Sequence, residues 1–213
     1  PAPPPPSPPS PSPPPPAPEL DCEDSEYEPE DTDVCGHPVL PCHSEQATNL
    51  LMDTAELTNS NLGGLGPSGG PAEMRLANVA HIGGRQIDLS FTTIGPYTPN
   101  NANANGLNGQ FISINLMVGQ EVELQATFLD AATGEPVVVD SFEISFLDLD
   151  EAVNGYERET IISGDHDAYA VVRDSEVMVT ESDGRAAFSS STSGDGGDNP
   201  YDPTELTALQ AKR

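Results

Sequence analysis

The sequence predicts an all-β fold: a single β-sandwich of the jelly-roll or immunoglobulin-like kind, with roughly eight to ten strands. Two observations predict it. The first is period-two alternation of apolar and polar residues, which marks strands with one buried face. Alternation is clearest in Arg85–Ile94, where Ile87, Leu89 and Phe91 are separated by polar residues. The second is the recurrence of short alternating runs between turn residues, which is typical of a sandwich.

The same pattern predicts the other strands. Strict alternation extends over residues 121–129 and 141–149, and shorter candidates are 111–118, 158–163, 169–173, 176–181 and 185–191. Asp183-Gly184 stands between two of these runs and predicts a two-residue hairpin, because both residues tolerate the positive φ of a primed turn. Residues 133–136, Thr-Gly-Glu-Pro, predict another tight connection. The pattern of residues 47–57 fits either a helix or an entering strand.

Residues 1–18 are different in character, since thirteen are proline and the other five are alanine or serine. Proline fixes φ near −65° and lacks an N–H, so this segment is predicted to be neither helix nor interior strand. We expect a polyproline II rod, which at ~3.1 Å per residue would span roughly 55 Å. Such a rod buries nothing and catalyses nothing, so its use is mechanical, as a spacer, a stalk or the core of a fibre.

Residues 19–46 are predicted to be an acidic linker between the rod and a β-sandwich domain at 47–213. Nine of the fifteen residues from 19 to 33 are acidic and none is basic. A block of like charges repels itself and extends. A solvated linker is one interpretation, and a segment that binds cations or docks a partner is the other.

All three cysteines lie in this linker. In a secreted chain they suggest one intrachain disulfide and one remaining thiol. A Cys35–Cys42 bridge is one such pairing and would leave Cys22 as the odd cysteine. A zinc site built from Cys35, His37, Cys42 and His43 is the alternative, but the spacing fits no standard zinc pattern.

The charge of the chain excludes several partners. The formal net charge at pH 7 is −28, from 35 acidic and seven basic residues. Nucleic acids and anionic membranes are bound through Lys and Arg, so neither is an expected partner. No apolar run approaches the ~20 residues of a membrane span, and we expect no membrane insertion. Because the chain begins at Pro1 rather than Met, we expect a processed, extracellular or cell-surface chain that has lost a targeting segment.

The run SPPSPSPPPP resembles the hydroxyproline-rich segments of algal and plant extracellular glycoproteins of the extensin and pherophorin type. The resemblance covers about eighteen residues and implies O-linked glycans on serine and hydroxylated proline. The implied positions are Pro4, Pro5, Pro6, Ser7, Pro8, Pro9, Ser10, Pro11, Ser12, Pro13, Pro14, Pro15 and Pro16. No asparagine stands in an N-x-Ser/Thr sequon, so N-glycosylation is not expected.

Residues 59–210 are similar to a group of secreted β-sandwich modules of algae, protists and bacteria. The motifs that carry the similarity include NLGGLGP at 61–67, NGLNGQF at 105–111, TFLDAATGEPV at 127–137 and GDNPYDP at 197–203. The similarity to this group implies no particular activity. In similar modules a further apolar strand follows the position of Arg213. We therefore expect an incomplete sandwich whose open edge another chain can fill.

Residues that could carry catalysis are scarce. The histidines are His37, His43, His81 and His166, and neither a G-x-S-x-G elbow nor an H-E-x-x-H pair is present. Carboxylate pairs are abundant from composition alone and so do not indicate a glycosidase. We predict that the protein is not an enzyme.

Calcium is the cofactor that the sequence favours. A hard cation takes six to eight oxygen ligands, and residues 148–159 are rich in carboxylates. The predicted ligands are Asp148, Asp150, Glu151 and Glu159, with a second candidate group at Asp195, Asp198 and Asp202. The alternative interpretation is that both groups are acidic surface loops of a strongly acidic protein.

These features predict a non-enzymatic structural subunit of a glycosylated extracellular fibre or cell-surface layer. Its partners would be copies of itself and its own O-linked glycans. Assembly would be head to tail, with the rod as spine or tether and residues 39–57 packed against the next sandwich. A stalked carbohydrate-binding or adhesive module is the alternative, and exposed aromatic residues would favour it. A secreted hydrolase ranks third.

Overall fold

The computed structural model describes residues 48–172, 174–194 and 199–213. The chain divides into two units, Pro1–Asp31 and Thr32–Arg213, and the description below concerns the second. The predicted rod, the acidic linker, the cysteine pairing and the glycosylation positions lie outside the described residues.

The described residues contain nine strands and no α-helix, which confirms the all-β prediction. The strands are β1 (Glu56–Ser60), β2 (Met74–Ile82), β3 (Arg85–Ile94), β4 (Gly106–Asn108), β5 (Phe111–Ser113), β6 (Glu123–Asp130), β7 (Thr160–Ser163), β8 (Val177–Ser182) and β9 (Arg185–Ser190). Three single 3₁₀ turns lie at Leu62–Gly64, Ala102–Ala104 and Gln210–Lys212. The strands form three antiparallel sheets in the orders β1-β2-β3-β6, β4-β5 and β7-β9-β8.

Strand β3 is central to the four-stranded sheet. It pairs with β2 on one side and β6 on the other, so that Leu76, Leu89 and Phe128 lie directly opposite one another. Opposed residues of antiparallel strands share a face. The alternation of Ile87, Leu89 and Phe91 seen in the sequence therefore becomes one continuous apolar face across three strands.

This apolar face is the floor of the main hydrophobic core. The buried members are Leu62, Met74, Leu76, Val79, Ala80, Ile87, Leu89, Phe91, Tyr97 and Phe128. Partly buried side chains from residues 50–55, from the β4–β5 hairpin and from residues 137–139 pack over them. Each large apolar side chain that is fully buried contributes about 1.5–3 kcal/mol. Among the described residues, this core is built entirely from residues 50–139.

A β-bulge in β2 is held by a buried carboxylate. The register between β2 and β3 shifts between Leu76 and Ala80, and Asn78 lies there with φ of 61°. Asp88 Oδ1 accepts a hydrogen bond from the Asn78 N–H at 3.1 Å. Arg75 donates to the other oxygen of Asp88 through Nε at 3.1 Å and Nη2 at 2.9 Å. Asp88 is thus satisfied on both oxygens, as a buried carboxylate requires.

The three-stranded sheet β7-β9-β8 lies outside that core. Ile161, Phe188 and Val179 share one of its faces, and Tyr169 packs edge-on against Phe188 with ring centroids 5.0 Å apart. The predicted hairpin at Asp183-Gly184 joins β8 to β9. The two residues have φ of 53° and 75°, the positive values that a type I′ turn needs.

Several strand predictions are wrong or too long. Residues 141–149 form no strand, and the described part of 169–173 forms none either. The candidate at 111–118 shortens to Phe111–Ser113. Alternation makes a strand only where a neighbouring backbone supplies hydrogen bonds, and no strand in the described part of the chain pairs with 141–149. Residues 48–55 form neither the predicted helix nor a strand; only residues 56 and 57 of that segment enter β1.

Candidate functional site

The acidic segment 148–159 folds back on itself beside the three-stranded sheet. The Glu159 N–H donates to the Asp150 carbonyl at 3.0 Å, and the Asp150 N–H donates to Glu159 Oε2 at 3.3 Å. Ser190, at the end of β9, donates its hydroxyl to the same Asp150 carbonyl at 2.7 Å. Two of the predicted calcium ligands, Asp150 and Glu159, are thereby brought together, and Asp148 is close enough to act on Glu159 electrostatically.

Arg213 joins this acidic segment to β8. Its Nη1 lies 3.3 Å from Asp150 Oδ1, and its Nε lies 2.9 Å from Glu176 Oε2. Its Nη2 donates to the Ser193 carbonyl at 3.1 Å, and its own carbonyl accepts from the Asp148 N–H at 3.0 Å. Only 10% of the Arg213 side chain is exposed. The guanidinium therefore neutralises two carboxylates in a partly desolvated position.

Glu151 forms an ion pair with a different arginine, Arg158. Arg158 donates to Glu151 Oε2 through Nε at 3.2 Å and Nη2 at 3.0 Å. The backbones of the two residues also form an isolated antiparallel bridge. Glu151 is therefore half of an ion pair that closes the 151–158 turn, and the structure does not direct it toward Asp150 and Glu159.

The pKa values of Glu159 and Glu176 are displaced in opposite directions. Desolvation raises the pKa of Glu159 above its usual value; the Asp150 N–H opposes this, while the carboxylates of Asp148 and Asp150 add to it. Although solvent reaches much of the Glu159 side chain, the surrounding protein atoms disfavour its charged form. The pKa of Glu176 is lowered, first by the hydroxyl hydrogen bond from Thr192 and then by Arg213.

A glycine from the second predicted calcium group packs onto the first. A Cβ placed on Gly194 would lie 1.7 Å from Asp150 Oδ2, so no other residue fits there without displacing the carboxylate. Asp195 and Asp198 lie outside the described residues. Asp202 caps a turn, accepting from the Thr204 N–H at 2.8 Å and from its hydroxyl at 2.6 Å. These hydrogen bonds lower the pKa of Asp202.

The arrangement therefore acts as an acid–arginine clamp, a name we use for Asp150, Glu159, Glu176 and Arg213. No group of three or more His, Cys, Asp or Glu side chains within the described residues has the geometry to hold a metal ion. A calcium ion bound at Asp150 would have to compete with the guanidinium of Arg213. The calcium site stays a prediction, and a melting temperature that falls on adding a chelator would support it.

The long Gly/Asn-rich loop at 61–71 is fastened by one asparagine that the sequence analysis did not single out. Asn61 Nδ2 donates to the carbonyls of Gly70 at 3.1 Å and Pro71 at 3.0 Å. Its Oδ1 accepts from the Gly66 N–H at 3.2 Å. Gly66 presses so closely on Ser60 that a Cβ would lie 1.8 Å from the Ser60 carbonyl oxygen. The loop is therefore part of the scaffold.

The second long loop, 96–110, is fastened in the same way. Asn105 Oδ1 accepts from the Asn115 N–H at 2.7 Å and from the Tyr97 hydroxyl at 3.0 Å. The Tyr97 hydroxyl also contacts the Asn115 carbonyl, and burial raises the pKa of Tyr97. The Asn105 carbonyl accepts from the Ser60 hydroxyl at 3.1 Å, which ties this loop to β1. An Asn-rich composition was visible in the sequence, but these partners are distant along the chain and were not.

The two described histidines, His81 and His166, have different surroundings. His81 is exposed on β2. His166 Nδ1 lies 3.2 Å from the Ser163 hydroxyl, and its ring packs edge-on against Tyr169. His166 also lines an open surface depression of about 390 Å³ beside the β8–β9 turn. We assign no chemistry to this depression.

Comparison with models of protein families, with curated proteins and with solved structures gave no match to the chain. Within the described residues, no helix has the length and apolar character of a membrane span.

Arg213→Met should destabilise the protein by roughly 1.5–3 kcal/mol, because charged hydrogen bonds of a mostly buried guanidinium are lost at two carboxylates. The matched control is Arg185→Met. Arg185 is 57% exposed and lies 3.5 Å from Asp130, so its loss should cost about 0–1 kcal/mol. Urea unfolding at pH 7 measures both variants. If both variants lost the same free energy of unfolding, Arg213 would contribute no more than an exposed arginine, and the prediction would be wrong.

Glu159→Gln and Glu176→Gln should change the pH dependence of stability in opposite directions. With its raised pKa, Glu159 contributes stability that is present below its usual value of 4.5 and lost as the pH rises through the folded-state value. Glu159→Gln should therefore raise stability at neutral pH. With its lowered pKa, Glu176 contributes stability above 4.5 that is lost as the pH falls through the folded-state value. Glu176→Gln should lower stability at neutral pH.

Urea unfolding of both variants and the wild type, at several pH values between roughly 3 and 7, checks this pair of signs. A shift in the same direction for both glutamine variants would be incompatible with the assigned environments.

Proposed function

We propose that this protein is a non-enzymatic structural subunit of a glycosylated extracellular fibre or cell-surface layer. In this proposal the proline-rich segment is the spine or tether, and the β-rich module mediates self-assembly. Extracellular placement and O-glycosylation of residues 4–16 belong to the same proposal. They derive from the resemblance of the rod to hydroxyproline-rich glycoproteins.

The observation that carries the proposal is a combination of two features in one chain. Thirteen of the first eighteen residues are proline, and the two long loops of the module are held by hydrogen bonds within the module itself. Loops that bind ligands usually present free polar groups to solvent. In this chain, Asn61 and Asn105 use their amide groups to fix the loops internally. A rod with a stiff module at its end is suited to a mechanical role.

The proposal also specifies how the modules contact one another, which is head to tail. The four-stranded sheet, covered by β4–β5 and its flanking segments, would form a partial sandwich that a neighbouring chain completes. Leu50 and Met52 already pack on their own core, and the Leu51 N–H donates to the Val79 carbonyl at 2.7 Å. We therefore assign the proposed contact with a neighbour to residues 39–47 of the segment 39–57.

One observation favours the alternative, a stalked carbohydrate-binding or adhesive module. Tyr156 and Tyr201 are 91% and 69% exposed, and exposed aromatic rings are the usual stacking platforms for sugars. Tyr156 lies in the 151–158 turn, where it could meet a ligand without disturbing the core. Binding of the protein to an array of polysaccharides that is lost in Tyr156→Ala would favour this function over the first.

The assembly proposal predicts that full-length protein forms filaments and that a chain lacking residues 1–47 does not. The cut falls at 47 because residues 50–57 contribute to the core and to β1. Negative-stain electron microscopy of both proteins at equal concentration provides the measurement. A chain lacking only residues 1–18 separates the roles of rod and linker. Filaments formed by the protein that lacks residues 1–47 would refute head-to-tail assembly through this segment.

The glycosylation proposal predicts an intact mass well above 22.4 kDa for material from the natural source. Hydroxylated and glycosylated proline and serine each add mass, and the excess should disappear when residues 1–18 are removed by proteolysis. An intact mass equal to that of the unmodified chain would exclude the modification.

A further inference from the structure

An exposed apolar row lies in the segment of the chain that connects β6 to β7. The row consists of Phe142, Ile144 and Phe146, which are 38%, 49% and 55% exposed. They alternate with Glu143 and Ser145, in a segment with the composition of a strand. Among the described residues, no strand pairs with this segment. Three large apolar side chains in alternation and in contact with water mark an interaction surface.

The segment is anchored at both ends. The Ser141 carbonyl accepts from the Thr48 N–H at 2.7 Å, and the Asp148 N–H donates to the Arg213 carbonyl at 3.0 Å. Phe142 also packs edge-on against Phe128 of the core, with ring centroids 5.0 Å apart. A segment held at both ends loses less conformational freedom when it binds, which favours association.

We propose that this segment pairs with the same segment of a second copy, antiparallel and in the register centred on Ile144. In that register Phe142 lies opposite Phe146 of the second copy, and Ile144 lies opposite its own counterpart. Glu143 lies opposite Ser145, so no like charges face each other. Within Ser-Phe-Glu-Ile-Ser-Phe-Leu this register pairs the apolar residues 142, 144 and 146 with one another and places no two acidic residues opposite each other. The ladder is limited to these residues, because one step further Asp140 would face Asp148.

The contact is isologous, since the same surface is used by both copies. It is therefore distinct from the head-to-tail contact of the proposed function and would add lateral pairing to it. Each copy supplies a strand partner for a segment with which no strand of the described residues pairs. The high negative charge of the chain opposes the pairing at low salt, and screening should strengthen it.

The first experiment changes the charge at Ser145 in the full-length chain. Ser145→Lys places an ammonium group opposite Glu143 of the other copy at two symmetric positions, and Ser145→Glu places like charges there. By sedimentation velocity, at protein concentrations below those at which filaments form, the dimer dissociation constant should fall roughly tenfold for Ser145→Lys and rise roughly tenfold for Ser145→Glu. Thr180→Lys, on exposed strand β8, makes the same change in net charge and serves as the control. Equal effects of Ser145→Lys and Thr180→Lys would overturn the proposed register.

The second experiment tests the centre of symmetry by cross-linking. Directly opposed residues of antiparallel strands have Cα atoms about 4.5–5.5 Å apart, within the span of a disulfide. In a full-length chain with Cys22, Cys35 and Cys42 changed to Ser, Ile144→Cys should oxidise to a dimer much faster than Ser145→Cys. Equal oxidation of the two variants would refute pairing about Ile144.

The same thiol reports whether the chain's own N-terminal region covers the row instead. In the monomer, a cysteine at position 144 should react with a maleimide as fast as one placed at exposed Ile162. Protection of position 144 in the monomer would identify the chain itself as the occupant, and this result would overturn the proposal.

Discussion

The scarcity of positive charge is the constraint on which the rest of this structure depends. Seven basic residues stand against 35 acidic ones, so most carboxylates must be left in water or satisfied by backbone N–H groups. Arginine is found where an acid lies at a structural junction: Arg75 at the bulge of β2, Arg158 at the 151–158 turn and Arg213 between the acidic segment and β8. Arginine suits these positions because one guanidinium can serve several acceptors in a fixed geometry.

Amide side chains and backbone N–H groups also hold loops and turns in place. Asn61 fastens its loop by donating to two backbone carbonyls and accepting from one backbone N–H, and Asn105 fastens the other through its side-chain oxygen, which accepts from the Asn115 N–H and the Tyr97 hydroxyl. Asp130 accepts from the N–H groups of Ala132 and Thr133 and so closes the turn after β6. Neutral amides add no charge to a chain that already repels itself, which explains their concentration in the loops of a strongly acidic module.

The proposed mechanical function rests on these features. The carboxylates of the acid–arginine clamp have protein partners, and the loops that could have formed a binding surface are used to stiffen the module. The apolar row at 142–146 and the exposed Tyr156 are two of the surfaces that the described part of the chain presents to solvent. The proposed self-association and the alternative adhesive function would each use one of them.

The sequence by itself determined the all-β class, the bounds of β3 and the hairpin at Asp183-Gly184. In these places the information is local: strict alternation for β3, and two residues that tolerate positive φ for the hairpin. Strand β2 was missed because the bulge at Asn78 interrupts its alternation, and that bulge depends on Asp88 from the next strand. Asp150 and Glu159 are near in sequence, and the structure places them in hydrogen-bond contact. Arg213, which pairs with Asp150, is 63 residues from it, a separation that local patterns do not encode. Residues 141–149 alternate as a strand does, yet no strand pairs with them in the described part of the chain. Only the tertiary structure decided this, because β-pairing depends on which backbone the fold brings within hydrogen-bond distance.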